Sequence, residues 1–251
     1  MASPALSLDQ ISLRCTSHGG ERGLIIGGVG SGKSTLATFL AMDFVHRYAK
    51  GRLLIVDSKP RFRADKSLQG LSLDRHYRRW GHGQKIPGCV LVQPPDELAL
   101  AWSLGYRIVI VQCESLSAEL LRLLAVIEEF FKQASAKIPT LVLYDEALDF
   151  FSLNGMPKGH TDIVVRCARA GRERGLGVLF CSQRTKGYPA SIIEELERLY
   201  LFRLDAADDI KRLTDFGCPV GVEDMPREQY KFRYWYKADY ATVYGPYQLA
   251  L

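Results

Sequence analysis

Residues 23–35, GLIIGGVGSGKST, carry the strongest structural signal in this chain of 251 residues. The part from Gly27 to Ser34 fits the pattern G-x-x-x-x-G-K-[S/T] in full. The apolar residues before it predict a short buried strand, and the spacing of apolar residues over 34–48 predicts a helix. A glycine-rich turn of this pattern between a strand and a helix is typical of a phosphate-binding loop, or P-loop.

The residue types in this loop suit a polyphosphate ligand. Glycines let the backbone curl so that its N–H groups face phosphate oxygens, and the helix N-terminus favours an anion. Lys33 brings a positive charge to the β- and γ-phosphates, and the Ser34 hydroxyl suits Mg²⁺, whereas a Rossmann dinucleotide site would not require the lysine. The sequence therefore predicts an ATP and Mg²⁺ site whose nucleotide-binding residues are Gly27, Gly28, Val29, Gly30, Ser31, Gly32, Lys33, Ser34 and Thr35.

A second apolar run, TLVLYDE over residues 140–146, ends in two acids and has the Walker B arrangement. We expect Asp145, together with Ser34, to hold Mg²⁺. The adjacent Glu146 can polarise a water molecule for attack on the γ-phosphate. This pair favours hydrolysis over phosphoryl transfer to a small acceptor, although a strand that merely ends in surface acids is the alternative.

Strand-like and helical segments alternate along most of the chain. Alternation of this kind predicts a mostly parallel sheet with helices on both faces. The predicted strands are 23–27, 53–57, 89–93, 107–113, 140–145, 177–182 and 199–204, and the predicted helices are 34–48, 117–134, 162–174 and 192–197.

Residues 168–184, ARAGRERGLGVLFCSQR, distinguish between the many kinds of P-loop protein. They resemble the FtsK/HerA superfamily of DNA-pumping ATPases, in which a helix with a terminal arginine is followed by a glycine, an apolar strand and Gln-Arg. Here these features are Arg172, Gly175, residues 177–181 and Gln183-Arg184. VDSKP at 56–60 is a partial match to the family's Asp-Pro-Lys-Gly element, with proline and glycine displaced or absent. The resemblance extends over residues 23–213.

This resemblance implies an ASCE, RecA-like P-loop fold and assigns further roles. Gln183 takes the position of the γ-phosphate sensor and joins Glu146 and Lys33 as a catalytic residue. Arg172 is the first choice for an arginine finger that reaches the nucleotide of a neighbouring subunit, and Arg174, Arg169 and Arg184 are the alternatives. A finger that acts on a neighbour implies a homo-oligomeric ring, and the family implies a hexamer.

The length of the chain narrows the function further. We expect a single P-loop ATPase domain over 1–251, with a core at 23–213 and a C-terminal extension at 214–251. FtsK and HerA proteins of cells carry membrane anchors or an extra β-barrel, and we expect neither here. It is most similar to the minimal genome-packaging ATPases of tailless, membrane-containing viruses with double jelly-roll capsids. The implied function is translocation of double-stranded DNA into a preformed capsid. A plasmid or chromosomal DNA pump, a nucleotide-dependent assembly switch and a P-loop kinase are the alternatives.

Residues 59–85 form a basic segment, with eight Lys or Arg and two Asp in a chain whose net charge is +5. Contacts to DNA phosphates are independent of sequence, as a translocating motor requires. We expect DNA contacts from this segment, unless it is only a solvated basic loop. The candidates are Arg61, Arg63, Arg78 and Arg79.

The aromatic C-terminal tail suggests candidate partners, and the cysteines suggest the compartment in which the protein works. KFRYWYK at 231–237 alternates as a strand does, which suits core or edge packing, or else docking to a capsid vertex or stacking of single strands. A viral membrane protein is a further candidate partner of the chain. No apolar run reaches the length of a membrane span, and no secretory signal opens the sequence. The six cysteines form no Cys-x-x-Cys pair, as in reducing compartments. We expect a protein of the host cytoplasm or the virion, not a secreted one.

Overall fold

The computed structural model describes residues 8–16, 19–58, 66–67, 89–113, 116–151, 162–215, 217–221, 225–239 and 242–249. The predicted DNA contacts Arg61, Arg63, Arg78 and Arg79 lie outside these ranges, as do residues 59–60 of the partial Asp-Pro-Lys-Gly match.

The elements of the described ranges follow one another in this order: α1 (Leu8–Ile11), β1 (Cys15–Thr16), β2 (Gly19–Gly20), β3 (Arg22–Ile26), α2 (Lys33–Arg47), β4 (Arg52–Asp57), β5 (Lys66–Ser67), β6 (Cys89–Val92), α3 (Glu97–Ser103), β7 (Ile108–Gln112), α4 (Leu116–Gln133), β8 (Thr140–Asp145), α5 (Asp162–Ala170), β9 (Leu176–Ser182), α6 (Ala190–Glu195), β10 (Arg198–Leu201), α7 (Ala207–Asp215), β11 (Lys231–Tyr236) and β12 (Val243–Gln248).

One main sheet organises the molecule. Over the described ranges its strands lie in the order β12-β11-β10-β3-β9-β8-β4-β7-β6-β5. All neighbours from β10 to β5 are parallel, and β11 and β12 extend the β10 edge as antiparallel strands. The predicted mostly parallel sheet is confirmed, and the aromatic tail contributes β11 as predicted.

The core lies on both faces of the sheet because successive side chains of a strand point to opposite faces. In β3, Leu24 and Ile26 pack into the cluster on one face and Ile25 into the cluster on the other. Residues of α2 cover the Ile25 face, whereas residues of α4 and α5 cover the opposite face. Burial on both faces explains why the parallel strands are continuously apolar in sequence.

The strand order brings three segments of the chain together at one edge. β9 lies between β3, which leads into the P-loop, and β8, which ends in the Walker B acids. Because parallel strands have their carboxyl ends at the same edge of a sheet, the loops that follow β3, β8 and β9 meet there. The candidate residues of the P-loop, the Walker B acids and Gln183 therefore lie near one another at this edge.

Some predicted boundaries were wrong. The predicted helix over 162–174 ends at Ala170, and a 3₁₀ turn follows at Arg172–Arg174. Gly171 ends the helix: its carbonyl accepts the Leu176 N–H at 2.9 Å, and a Cβ on it would lie 2.2 Å from the Cys167 carbonyl oxygen. The predicted strand 199–204 ends at Leu201, and α3 and β12 were not predicted.

All six cysteines are buried and free of disulfides, as a reducing environment allows. Burial raises the pKa of the Cys15 and Cys167 thiols to about 12, so they stay protonated at neutral pH. No helix among the described residues combines the length and the hydrophobicity needed to cross a bilayer.

Candidate functional site

An open cleft of about 190 Å³ lies at the carboxyl edge of the sheet, where the loops after β3, β8 and β9 meet. It is formed by the P-loop on one side and by residues from three distant parts of the chain on the others. Its lining residues are Val29, Gly30, Ser31, Gly32, Lys33, Ser34, Thr35, Glu146, Gln183 and Tyr230. The structure thus brings together most of the predicted nucleotide-binding residues and three of the predicted catalytic ones, Lys33, Glu146 and Gln183.

Two glycines allow the P-loop to turn into α2. Gly30 and Gly32 have φ angles of 72° and 108°, which residues with side chains rarely adopt. A Cβ on Gly32 would also lie 2.8 Å from the Tyr230 ring, whereas nothing lies within 4 Å of a Cβ placed on Gly30. Gly32 is therefore required both by the backbone conformation and by the space around it.

Gly27 and Gly28 do not line the cleft, although they belong to the predicted binding set. The Gly27 N–H donates to the Ser182 carbonyl at 3.3 Å, and the Gly28 N–H donates to the Arg203 carbonyl at 2.8 Å. A Cβ on Gly27 would lie 2.4 Å from Cβ of Phe202. These two glycines anchor the base of the loop between the ends of β9 and β10.

Lys33 brings to the cleft the positive charge that the P-loop pattern predicts. Its side chain is only 7% exposed, and Nζ donates a hydrogen bond to the Gly28 carbonyl at 2.7 Å. The loop thus folds back on the ammonium group and holds it at the first turn of α2. A bound polyphosphate would receive this charge together with the N–H groups of the helix N-terminus.

Glu146 and Gln183 form a direct pair in the cleft. The Gln183 side-chain amide donates to the Glu146 carboxylate over 2.8 Å, so the ends of β8 and β9 are joined there. Glu146 is 6% exposed, and its backbone has a left-handed conformation with φ 56°. This conformation, uncommon for a residue with a side chain, turns the carboxylate out of the strand direction and into the cleft.

Asp145 lies at the end of β8, directly before Glu146, and is 2% exposed. It is not among the residues that line the cleft, whereas Ser34 is. The Ser58 hydroxyl contacts the Asp145 carbonyl at 3.3 Å and donates to the Asp149 carboxylate at 2.8 Å, which fixes this end of β8. A carboxylate and a hydroxyl are the hard oxygen ligands that Mg²⁺ prefers, so the residues present fit the ion.

A buried aspartate positions the segment that follows Gln183. Asp209, at the start of α7, accepts hydrogen bonds from the amides of Thr185 (2.8 Å) and Lys186 (3.0 Å) and from the Thr185 hydroxyl (2.8 Å). Burial alone would raise the pKa of Asp209, but these hydrogen bonds and one from Arg184 outweigh it and lower the pKa. The ionised carboxylate therefore holds this segment in place at neutral pH.

Arg172 lies far from the cleft of its own chain. It packs beside Gly19, before β3 begins, whereas the P-loop follows the end of β3. The five residues of β3 alone span roughly 16 Å. Its guanidinium is about half exposed and pairs with Glu197 at 2.7 Å. The structure therefore does not bring Arg172 together with Glu146 and Gln183.

The alternative arginines have other surroundings. The Arg174 guanidinium lies 4.9 Å from the centre of the Phe131 ring, and Arg169 lines a shallow surface depression with Glu173 and Glu195. Arg184 lies near the cleft and contacts the Asp209 carboxylate at 3.3 Å. Arg172 and Arg169 thus differ from Arg174, which covers an aromatic ring, and from Arg184, which lies near the cleft. Arg172 and Arg169 both lie at the edge of the sheet where the parallel strands begin, the amino edge.

Tyr230 is the cleft residue that sequence reasoning did not single out. It lies directly before the aromatic stretch 231–237 that predicts a strand. About 200 residues separate it from the P-loop, and no motif marks it. A periodicity analysis gives no signal for a contact of this range.

Comparisons with solved structures identify the fold. The genome packaging NTPase B204 from Sulfolobus turreted icosahedral virus 2, in complex with AMP, is 16% identical with a TM-score of 0.61 over 90% of this chain and 98% of that one. B204, the DNA-packaging ATPase from Sulfolobus turreted icosahedral virus, gives 15% and 0.59 over 93% and 100%. The cytoplasmic domain of the Thermomonospora curvata type VII secretion ATPase EccC gives 15% and 0.54 over 90% and 25%.

At these identities the likeness establishes the fold. The chain has the α/β fold of the FtsK/HerA-type P-loop ATPases. No protein-family model matches the sequence, and no curated protein matches it either.

Proposed function

Starting from a fold shared with FtsK/HerA-type ATPases, we propose that this protein hydrolyses ATP to translocate double-stranded DNA, packaging a viral genome into a preformed capsid. The observation that carries the proposal is the contact of 2.8 Å between Gln183 and Glu146 in the P-loop cleft. A P-loop alone serves many reactions. A buried carboxylate held by an amide beside it suits the activation of water.

In the proposed reaction, Lys33 and the amides of the P-loop bind the triphosphate. Glu146 accepts a proton from the attacking water, and Lys33 stabilises charge on the phosphate oxygens. Gln183 donates to Glu146 in the structure; with ATP bound, its amide can instead contact the γ-phosphate and return after hydrolysis. Mg²⁺ held by Ser34 and Asp145 would neutralise phosphate charge.

The position of Arg172 supports a ring. Arg172 lies at the amino edge of the sheet, more than a strand length from its own cleft, so as an arginine finger it would act on the nucleotide of another subunit. Its guanidinium is about half exposed and pairs with Glu197 at 2.7 Å, and the planar fork of a guanidinium suits phosphate oxygens. We propose a homo-oligomeric ring, with a hexamer as the expected form and residues 59–85 as its contact with DNA.

The comparisons favour packaging but leave a rival. Two of the similar structures are described as packaging enzymes, and a third as a type VII secretion ATPase. The fold therefore serves more than one kind of transport, and a DNA-independent assembly or secretion role is the second candidate. Dependence of the activity on DNA separates the two.

The test is steady-state ATP hydrolysis with and without linear double-stranded DNA, at low and at moderate salt. We expect DNA to stimulate the rate, and the stimulation to fade with salt because phosphate contacts release counterions. Lys33→Ala should abolish hydrolysis. Lys132→Ala is the matched control, because this lysine is exposed on α4 and pairs only with Glu128 among the described ion pairs. Hydrolysis that ignores DNA at every salt concentration would contradict translocation.

A further inference from the structure

Tyr230 ties the C-terminal strands to the P-loop. Its backbone N–H donates to the Ser31 carbonyl at 3.0 Å, and its carbonyl accepts the Leu249 N–H at 2.9 Å. The residue directly precedes β11, and Leu249 directly follows β12. The two ends of the β11–β12 hairpin therefore meet at this tyrosine, and both are fastened to the loop that would hold phosphate.

The ring of Tyr230 faces the cleft. It is partly exposed and lines the cleft together with the P-loop, Glu146 and Gln183. Its Cδ1 lies 2.8 Å from the position of a Cβ on Gly32, so it packs against the side of the loop that glycine leaves open. The backbone of Tyr230 is left-handed, with φ 59°, a conformation retained only where the surroundings hold it. The hydrogen bonds to Ser31 and Leu249 hold this backbone, and with it the ring, beside the P-loop.

The strand order indicates which end of a nucleotide meets this ring. Glu146 and Gln183 follow β8 and β9, on one flank of the P-loop strand β3. Tyr230 precedes β11, which lies beyond β10 on the other flank. A γ-phosphate that reaches Glu146 occupies the β8 and β9 side of the cleft. The nucleoside then leaves the P-loop towards the flank of Tyr230.

We propose that Tyr230 is a nucleobase-binding residue: its ring is the platform on which the base of ATP packs. The inference rests on the proposed ATP site and deepens it. A flat, partly exposed aromatic ring offers a base a stacking surface that no other cleft-lining side chain among the described residues provides. The phenol hydroxyl is not needed for stacking, so phenylalanine should serve as well.

The experiment compares the binding of ATP with that of inorganic tripolyphosphate, which has the phosphates but no base, by calorimetry on the full chain. Tyr230→Asn removes the ring, and asparagine tolerates a left-handed backbone. We expect it to weaken ATP binding roughly tenfold, within the range for stacking on one base, and to leave tripolyphosphate affinity unchanged. Tyr230→Phe should bind both ligands like the wild type.

Tyr244→Asn is the matched control, because Tyr244 lies on β12, is half-buried and bonds Asp239 away from the cleft. It should bind both ligands as the wild type does. Equal weakening of ATP and tripolyphosphate in Tyr230→Asn would overturn the proposal, since the ring would then only support the P-loop. Unchanged ATP binding would overturn it as well. A wild-type chain that binds neither ligand would refute the ATP site itself, and this inference with it.

Discussion

At the scale of single residues, backbone strain is concentrated in one place. Among the described residues, the non-glycine positions with positive φ are Glu146 and Tyr230, and both line the same cleft. Such conformations persist where the surrounding structure fixes them, and they cluster at functional sites. Two independent parts of the chain thus accept an unfavourable backbone to aim a side chain at the P-loop.

Glu146→Gln tests the assignment of the base. The amide has the shape of the carboxylate but accepts no proton from water, so hydrolysis should fall at least 100-fold, as when a general base is lost. ATP binding should remain, because Lys33 and the P-loop are unchanged. Steady-state turnover and equilibrium ATP binding are the measurements.

Glu128→Gln serves as the control for this substitution, because Glu128 is half exposed on α4 and pairs with Lys132. Its turnover should equal that of the wild type. A Glu146→Gln enzyme that hydrolyses ATP at the wild-type rate would show that another group activates the water.

Asp209→Asn tests the support behind Gln183. Loss of a buried charged acceptor that receives four hydrogen bonds should destabilise the protein by about 2 kcal/mol at pH 7. Since folding lowers the pKa of Asp209, its contribution is present above the unfolded pKa of about 4 and is lost as the pH falls through the folded value. Denaturant unfolding at several pH values measures this difference.

Asp208→Asn is the matched control, because it removes an exposed carboxylate from the same turn of α7. It should change stability by less than about 0.5 kcal/mol. A gap between Asp209→Asn and wild type that stays constant down to pH 3 would contradict the role of the ionised carboxylate.

The sequence predicts the cleft only where a motif marks it. Lys33, Glu146 and Gln183 end apolar strands or begin a helix, so local pattern places each at the carboxyl edge, and the structure joins them. Tyr230 belongs to no such pattern, because its place depends on how a late hairpin pairs with β10. The anchoring role of Gly27 and Gly28 was missed for the same reason: the partners, Ser182 and Arg203, are distant in sequence.

At the scale of elements, the conformation of the P-loop requires a glycine more strictly at position 32 than at position 30. Gly32→Ala combines an unfavourable φ of 108° with a contact of 2.8 Å to the Tyr230 ring. Gly30→Ala has the strained φ of 72° but open space around the new methyl group. We expect stability losses of about 1 kcal/mol for Gly30→Ala and about 2–3 kcal/mol for Gly32→Ala.

ATP binding should follow the same order, with little change in Gly30→Ala and at least a tenfold loss in Gly32→Ala. Thermal unfolding and nucleotide titration of both variants check this. Equal effects of the two substitutions would show that the space beside Tyr230 does not limit the loop.

The elements themselves differ in how far sequence predicts them. Strands buried on both faces, such as β4 and β8, are continuous apolar runs and were predicted within one residue. The predicted helix over 162–174 was extended too far, because Arg172, Glu173 and Arg174 are residue types that helices accept, whereas the structure has a 3₁₀ turn there. The strand β12 contains Gly245 and Pro246, which weaken its strand pattern.

At the scale of the whole molecule, Arg172 and the cleft lie at opposite edges of one sheet. We expect Arg172→Ala to inactivate wild-type neighbours in mixed rings, so that activity falls faster than the wild-type fraction. Arg174→Ala is the comparison, because that guanidinium covers the Phe131 ring instead. Titration of the variant into wild type at constant total protein gives the curve. A linear loss for Arg172→Ala would argue against a finger acting between subunits.

The position of β3 in the sheet has a consequence for synthesis of the chain. This strand is among the first made, yet its two neighbours, β9 and β10, begin about 150 residues or more later. During translation at about 5–20 residues per second, the nascent strand therefore waits on the order of 10 s for its first partner. Until then the two hydrogen-bonding edges of β3 have no partner strands, and Gly27 and Gly28 lack the carbonyls that anchor them. The proposed nucleotide-binding site can therefore form only after β10 has been synthesised.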